Sequence, residues 1–473
     1  MSGADRGPLH FIAIGGAGMS GLALVCHRLG HVVTGSDRSE SAYLDRLRVA
    51  GLEPVVGHDA DLVPADAEII VSTAIPEDNV ELVRARERGQ TVTHRSDLLA
   101  RVCAGKRLIA VAGAHGKTTT AGMIAHALTV AGADPAYLLG GELPGAGPEG
   151  APANADWGAS DWVVAEADES DGSFLKLRPE VAVVTNVELD HHSHWGGESE
   201  LIDAFARFSA PAAALVRPAE ARLAALDGAG RIVGFAIAPP PGSGPGPAAA
   251  VLATDIEPTE GGCRFRIVSE ELGEREVRLS VPGRHNVANA TAAIVAMACA
   301  LDLDETLPRL EDLIAALESF PGMARRLERK GTRSGAVIYD DYAHHPTEVA
   351  ASLAALRELP HRRLIAVFQP HLYSRTKALA SRFGRALTAA DEIAVLDVYP
   401  AREEPVGPLA GVSGLDVANA AADAAPGRRV EWLVDIDRAE RHLASRLGEG
   451  DLLVTVGAGD VFKLGDRLVE GEG

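Results

Sequence analysis

The chain has 473 residues, 47% apolar and 23% charged, which at roughly 150 residues per domain is enough for about three domains. Forty-five Lys and Arg against 66 Asp and Glu leave a formal charge of −21. That balance excludes the basic face which non-specific nucleic-acid binding or attraction to an anionic membrane requires, so any phosphate must be held by glycine loops, helix ends or metal ions.

From the start of the chain, Leu9–Ile14 predicts a strand, Met19–Leu29 a helix and His31–Gly35 a strand. Tyr43–Ala50 follows as a helix, with Glu53–Val56 and Ile69–Ser72 as further strands. Such alternation marks a parallel sheet covered by helices. Between the first strand and helix stands Gly16-Ala17-Gly18-Met19-Ser20-Gly21, and Asp37 falls where a ribose-reading acid is expected. The spacing lets a diphosphate approach backbone amides. A nicotinamide dinucleotide and another nucleotide's pyrophosphate both satisfy it.

The pattern restarts at Arg107–Ala112, which runs directly into Gly113-Ala114-His115-Gly116-Lys117-Thr118-Thr119. This is a shortened P-loop, because Val111 stands where the longer motif has its first glycine. The glycines let amides close around phosphate oxygens, Lys117 neutralises them, and the Thr118 hydroxyl suits Mg²⁺. Strand Trp162–Ala167 ends in Glu166-Ala167-Asp168-Glu169-Ser170-Asp171, and Val181–Asn186 runs into Glu188-Leu189-Asp190-His191-His192-Ser193-His194. Carboxylates at the carboxyl ends of central strands lie where ligands gather, and hard oxygens suit Mg²⁺; a zinc site would need a further region of soft ligands. Gly140–Asp156 and Ala238–Ala250 are rich in Gly, Pro and Ala and read as breaks. Cys263–Val268 and Val277–Val281 read as β-rich, and Asn286–Leu301 as a helix opened by Pro282-Gly283-Arg284-His285-Asn286-Val287-Ala288-Asn289.

A third α/β region begins near Phe320–Arg326, with strands at Val337–Tyr339, Leu364–Phe368, Glu392–Leu396, Val430–Leu433 and Leu452–Val456. Asp340-Asp341-Tyr342-Ala343-His344-His345 and Gln369-Pro370-His371-Leu372-Tyr373-Ser374-Arg375 follow two of these strands and are placed on strand-to-helix loops. Capping alone would need only Asp or Ser there; the surplus of His, Arg and Tyr points to a site. The cysteines Cys26, Cys103, Cys263 and Cys299 have no paired spacing, no signal segment is evident, and no uncharged apolar run reaches roughly 18 residues. A cytoplasmic protein without membrane insertion is expected.

In order, GGAGMSG, GAHGKTTT, EADESDGSF, TNVELDHH, PGRHNVANA, DDYAHHPTE and FQPHLYSRT resemble the motifs of the Mur ligases of peptidoglycan synthesis over about residues 9 to 460. The resemblance implies an α/β fold of three domains: a Rossmann-like UDP-sugar domain over 1–104, a central P-loop ATPase domain with a mixed sheet over 105–320, and a Rossmann-like domain admitting the amino acid over 321–473. It implies an ATP-dependent ligase that joins L-alanine to UDP-N-acetylmuramate through an acyl phosphate, as a monomer or homodimer, with one or two Mg²⁺ ions.

Carried over motif by motif, Gly16, Ala17, Gly18, Met19, Ser20, Asp37 and Ser72 serve the UDP-sugar. Gly113, Ala114, His115, Gly116, Lys117, Thr118, Thr119, Asn289, Arg325 and Asp341 serve ATP, and Thr118, Glu166 and His191 serve metal, with Glu169 a lesser candidate. Tyr342, His371 and Arg375 face the amino acid, and Lys117, His344 and Arg375 are the catalytic set. The chain departs from the family pattern at Ala114, Leu189, His192–Trp195 and Leu372, and Gly196–Ala210 lacks the lysine that sister ligases modify. A sister ligase that attaches a ready-made peptide to the same sugar nucleotide, and a nicotinamide-dependent oxidoreductase, are the competing readings.

Overall fold

The computed structural model describes residues 7–147, 150–151, 153–189, 195–239, 249–401 and 403–471. The chain forms two compact units: Met1–Leu252 with Ser269–Leu272 and Asn289–Leu317, and Ala253–Val268 with Gly273–Ala288 and Glu318–Gly473.

The first unit opens with a five-stranded parallel sheet in the order Val55–Val56, Val33–Asp37, Leu9–Ile12, Glu68–Val71, Val92–His94. Phe11 and Ile12 are fully buried, as a strand covered on both faces requires. The strand stops two residues short of the apolar run because Ala13 turns to φ 62°, and Ile14 N then bonds to Ser36 O at 2.9 Å. Helices Val80–Glu87 and Arg95–Cys103 and the strand Val92–His94 complete the sheet, although the sequence pattern does not signal them. Asn79 caps the first of these helices and His94 the second, each through a side chain accepting a first-turn amide. Because the strands are parallel, the segments beginning at Ala13, Arg38, Ser72 and Arg95 all leave from one edge.

The unit's second sheet runs Arg231–Ile237, Ala214–Pro218, Val181–Val184, Arg107–Ala112, Trp162–Glu166, Ala136–Leu143, Ala153–Asp156. Its pairings are parallel except the last, which is antiparallel. Ala153–Asp156 lies wholly, and the end of Ala136–Leu143 partly, in the segment Gly140–Asp156 that composition marks as a break. Ala153–Asp156 nevertheless has a packing role, because Gly21 on the helix Ala17–Arg28 lies so close that an added Cβ would sit 3.0 Å from the Ala155 methyl.

The second unit has a sheet in the order Glu328–Arg333, Ala336–Asp341, Asp451–Val456, Arg363–Phe368, Glu392–Leu396, Arg429–Val434, with only the first pairing antiparallel. Separate buried clusters cover its faces, one around Val349, Leu353, Phe368 and Phe383, the other around Ile338, Leu443, Leu464 and Leu468. This is the doubly wound plan. Asp340 and Asp341 are the last residues of their strand rather than part of the following loop. Elsewhere in the chain, Val251–Thr259, Gly262–Ser269 and Gly273–Leu279 are consecutive hydrogen-bonded neighbours.

Among the described residues, one helix, Arg284–Leu303, is long and apolar enough to cross a membrane by length and composition, although Arg284 and Asp302 bound its uncharged stretch short of roughly 18 residues. Seventy-eight per cent of its apolar window is buried inside the protein, as in a core helix.

Candidate active site

The loop after Arg107–Ala112 takes its shape from two glycines with left-handed backbone, Gly113 at φ 136° and Gly116 at φ 80°. A Cβ on Gly116 would strike Asn289 Oδ1, and one on Gly113 would strike Thr185 Oγ1. Gly116 is the N-cap of the helix Lys117–Val130 and offers no side chain, so first-turn amides face the loop. The loop is braced from the neighbouring strand's exit. His115 N donates to Asn186 Oδ1 at 3.0 Å, while Thr185 Oγ1 and Asn186 Nδ2 donate to His115 O at 2.6 and 2.7 Å.

Lys117 Nζ donates to Gly113 O at 2.6 Å, Ala114 O at 3.3 Å and Glu169 Oε2 at 2.8 Å. Burial alone would pull this ammonium down, but Glu169, Asp168 and Glu166 outweigh it and hold the pKa above its ordinary value. Lys117 is therefore a fixed cation. Burial acts on Asp168 in the opposite sense, and there Lys117, the Ser170 amide and Arg95 bring the carboxyl below its ordinary range. Thr118 Oγ1 donates to Glu166 Oε2 at 2.8 Å, and Gly140 N donates to the same oxygen at 2.9 Å. Thr118 and Glu166 are hard oxygen donors at the first turn of a phosphate-loop helix, a set that fits Mg²⁺. Glu169, the lesser metal candidate, instead pairs with Lys117. Thr119 is buried, as Thr118 is, and the expected ligand His191 lies outside the described residues.

At the first glycine loop, Gly16 is the N-cap of the helix Ala17–Arg28. Met19 and Ser20 are buried: the Met19 side chain belongs to the core, while Ser20 Oγ donates to Ala17 O at 3.1 Å and accepts from Asn154 Nδ2 at 3.2 Å. Asp37 Oδ2 accepts from Gly15 N at 2.9 Å, which fixes the loop to the end of the second strand. Ser72 Oγ accepts from Ala74 N at 3.4 Å in the turn after the fourth strand. Asn154 Nδ2 also donates to Ala17 O at 2.6 Å. Neither Asn154 nor Arg95, whose guanidinium lies against Gly18, was signalled by a motif. For Arg95 a signal exists: a cation opens a helix, where acids are favoured.

In the second unit, Arg325 Nε lies 3.1 Å from Asp340 Oδ2, and Nη2 donates to Gly457 O at 2.7 Å. Its guanidinium sits over the Tyr342 and Phe462 rings at 4.9 and 4.5 Å. Asp341 is buried, with Oδ2 accepting from Leu327 N at 2.8 Å and Oδ1 from Ala343 N at 2.7 Å. Burial pushes its pKa up to about 6, against the pull of Arg326 and the two amides. Tyr342, His344 and His371 come together, with ring centroids 5.3 Å apart for the first pair and 6.3 Å for the second. Tyr399, which no motif marked, stacks on His371 at 5.8 Å. Burial and the charges of Arg375 and Arg326 hold the His344 pKa below its ordinary value, against Glu348 and the Tyr342 carbonyl. His344 Nδ1 lies 3.1 Å from Tyr342 O, which assigns the proton to Nδ1 and leaves Nε2 a lone pair.

Three family models match the chain: the Mur ligase family catalytic domain over residues 8–107, the Mur ligase middle domain over 111–297, and the Mur ligase glutamate ligase domain over 325–459. Proteins named UDP-N-acetylmuramate–L-alanine ligase are similar at 43% identity in Mycobacterium avium, covering 98% of this chain and 95% of the relative, and at 45% in Kineococcus radiotolerans, covering 98% and 96%. The crystal structure of UDP-N-acetylmuramate-alanine ligase MurC from Thermotoga maritima superposes with a TM-score of 0.82 at 28% identity, covering 98% of this chain and 99% of that one. The murein peptide ligase Mpl of Psychrobacter arcticus gives 0.67 at 24% identity, covering 98% of each, a likeness of fold alone.

Proposed function

The chain belongs to the Mur ligase family and has its three-domain α/β fold, and from that premise we propose that it joins L-alanine to UDP-N-acetylmuramate at the expense of ATP, in peptidoglycan precursor synthesis. The observation that carries this reading is Lys117, a cation fixed between the loop carbonyls and Glu169 where a triphosphate's terminal phosphates meet a helix N-terminus.

A carboxylate is a poor electrophile. In the first step a carboxylate oxygen of the sugar nucleotide attacks the γ-phosphorus, the bond to ADP breaks, and an acyl phosphate forms. The loop amides of Gly113–Thr119 and the Lys117 ammonium stabilise the charge gathering on the transferred group. Magnesium, when bound, would add Lewis-acid neutralisation of phosphate oxygens, and Thr118 and Glu166 would hold it, with His191 the family-motif ligand of a second ion. We assign nucleotide contacts to Asn289, Arg325 and Asp341, and the sugar nucleotide to Gly16, Ala17, Gly18, Met19, Ser20, Asp37 and Ser72. Met19 takes part through its backbone, since its side chain is in the core.

In the second step the alanine amine attacks the acyl carbon and a tetrahedral intermediate expels phosphate. His344 takes the amine proton at Nε2, Arg375 clamps the alanine carboxylate, and Tyr342 and His371 wall the pocket. Family membership favours an amide ligase over a nicotinamide oxidoreductase, and the 43–45% relatives favour free alanine over a ready-made peptide as acceptor. Burial of the helix Arg284–Leu303 supports action without membrane insertion, and we assign that action to the cytoplasm. The test is phosphate release from ATP with UDP-N-acetylmuramate and either L-alanine or the murein tripeptide. Turnover with alanine is expected; turnover with the tripeptide alone would overturn the assignment.

A further inference from the structure

Arg95 opens the helix Arg95–Cys103 at the edge of the first sheet where the glycine loop also leaves. Its guanidinium lies against that loop: a Cβ on Gly18 would sit 2.9 Å from Arg95 Nη1. The backbone that carries it is locked. His94 Nδ1 accepts from Ser96 N at 3.3 Å, and Lys176 Nζ holds Ser96 Oγ at 3.0 Å and Asp97 Oδ2 at 2.8 Å.

What distinguishes this arginine is a guanidinium paired with a carboxylate but hydrogen-bonded to none. Arg28, Arg46 and Arg101 in the same sheet region are each hydrogen-bonded to a carboxylate, on Asp156, Glu142 and Glu68 respectively. Among the described residues no group hydrogen-bonds the Arg95 guanidinium, and its paired carboxylate, Asp168 Oδ2, stands off at 3.7 Å. The side chain is only 28% exposed, so its five donors are largely withdrawn from water. A cation at a helix N-terminus also opposes the helix dipole, an unfavourable placement that a bound anion would offset.

We propose that Arg95 is a specificity-determining residue: it grips the second phosphate of the sugar nucleotide on Gly16-Ala17-Gly18 and makes this loop a diphosphate site rather than a monophosphate site. The inference rests on the proposed sugar-nucleotide role of that loop. The loop amides take one phosphate, and the guanidinium, steadied from its far side by Asp168, meets the other in a charge-assisted, two-pronged contact. Asp168 belongs to the acidic segment that also holds Lys117, so the same arginine joins the two phosphate loops electrostatically.

Calorimetric titration of the full chain with UDP and with UMP tests this. The unsubstituted protein is expected to bind UDP at least about tenfold tighter than UMP. Arg95→Ala should abolish that preference by weakening UDP about tenfold or more while leaving UMP within about twofold, and Arg95→Lys should restore part of it. Arg95→Gln carries the same test if the alanine variant does not fold. An unchanged ratio, or equal weakening of UDP and UMP, would overturn the proposal. Failure of the unsubstituted protein to bind either nucleotide would instead overturn the sugar-nucleotide reading itself, and this inference with it.

Discussion

Lys117 works against its surroundings: burial disfavours its charge, and three carboxylates restore it. Replacing it with alanine removes the cation from the transferred phosphate and leaves Glu169, only 3% exposed at its side chain, without a counterion. Lys117→Ala is expected to reduce turnover by at least about a thousandfold in a phosphate-release assay. The affinity for UDP-N-acetylmuramate should stay within about threefold, because Lys117 hydrogen-bonds its own loop and Glu169 and reaches the first glycine loop only indirectly, through Asp168 and Arg95. Loss of both in a folded variant would contradict that separation.

Asp341 supports a pH prediction at the same scale. Its carboxyl titrates near 6 in the folded chain against an ordinary value of 3.8, so the folded state binds the proton more tightly. Stability from this group is full below about pH 4 and is lost as pH rises through 6, an amount of about 3 kcal/mol. Asp341→Asn does not titrate. Denaturant midpoints at pH 4.5 and 7 should therefore fall more steeply with pH in the unsubstituted protein than in the variant, and parallel slopes would contradict the assignment.

Among the elements, the P-loop depends most on single backbone conformations. Gly116→Ala places a side chain at φ 80° and drives it into Asn289. The expected results are a thermal midpoint lower by several degrees and a loss of ATP affinity of about tenfold or more, read by unfolding scans and nucleotide titration. Retained affinity would show that the loop does not need this conformation.

The same loop was readable in the sequence, because its glycines and lysine are contiguous and follow a buried strand. Val80–Glu87 is not readable: it carries four charged side chains among eight residues, so the apolar periodicity that marks a helix is nearly absent. Val92–His94 is too short to announce itself, and Ala153–Asp156 hides in small-residue composition while pairing with Ala136–Leu143. Arg95 and Asn154 were missed with these elements, since a side chain is placed only when its element is. Asp340 and Asp341 were found as residues but put one step too far along, on the loop instead of the strand end.

At the scale of the whole molecule, the chain's two compact units each have their own core. Calorimetry should resolve two transitions, as proteins of several domains commonly show. UDP at about a hundred times its dissociation constant adds about 2.7 kcal/mol to the unit that binds it, so one midpoint should rise while the other holds. A single transition, or an equal rise in both, would count against independent units.

The three proposed substrates are tied together by one covalent event, the transfer of a phosphoryl group onto the sugar's carboxylate. Turnover of UDP-N-acetylmuramate carrying ¹⁸O in that carboxylate, with ATP and L-alanine, follows it directly. The account predicts that one labelled oxygen leaves in the inorganic phosphate, seen as a mass shift of the released ion. Phosphate free of label, with both labelled oxygens absent from it at full amide formation, would contradict the acyl-phosphate route.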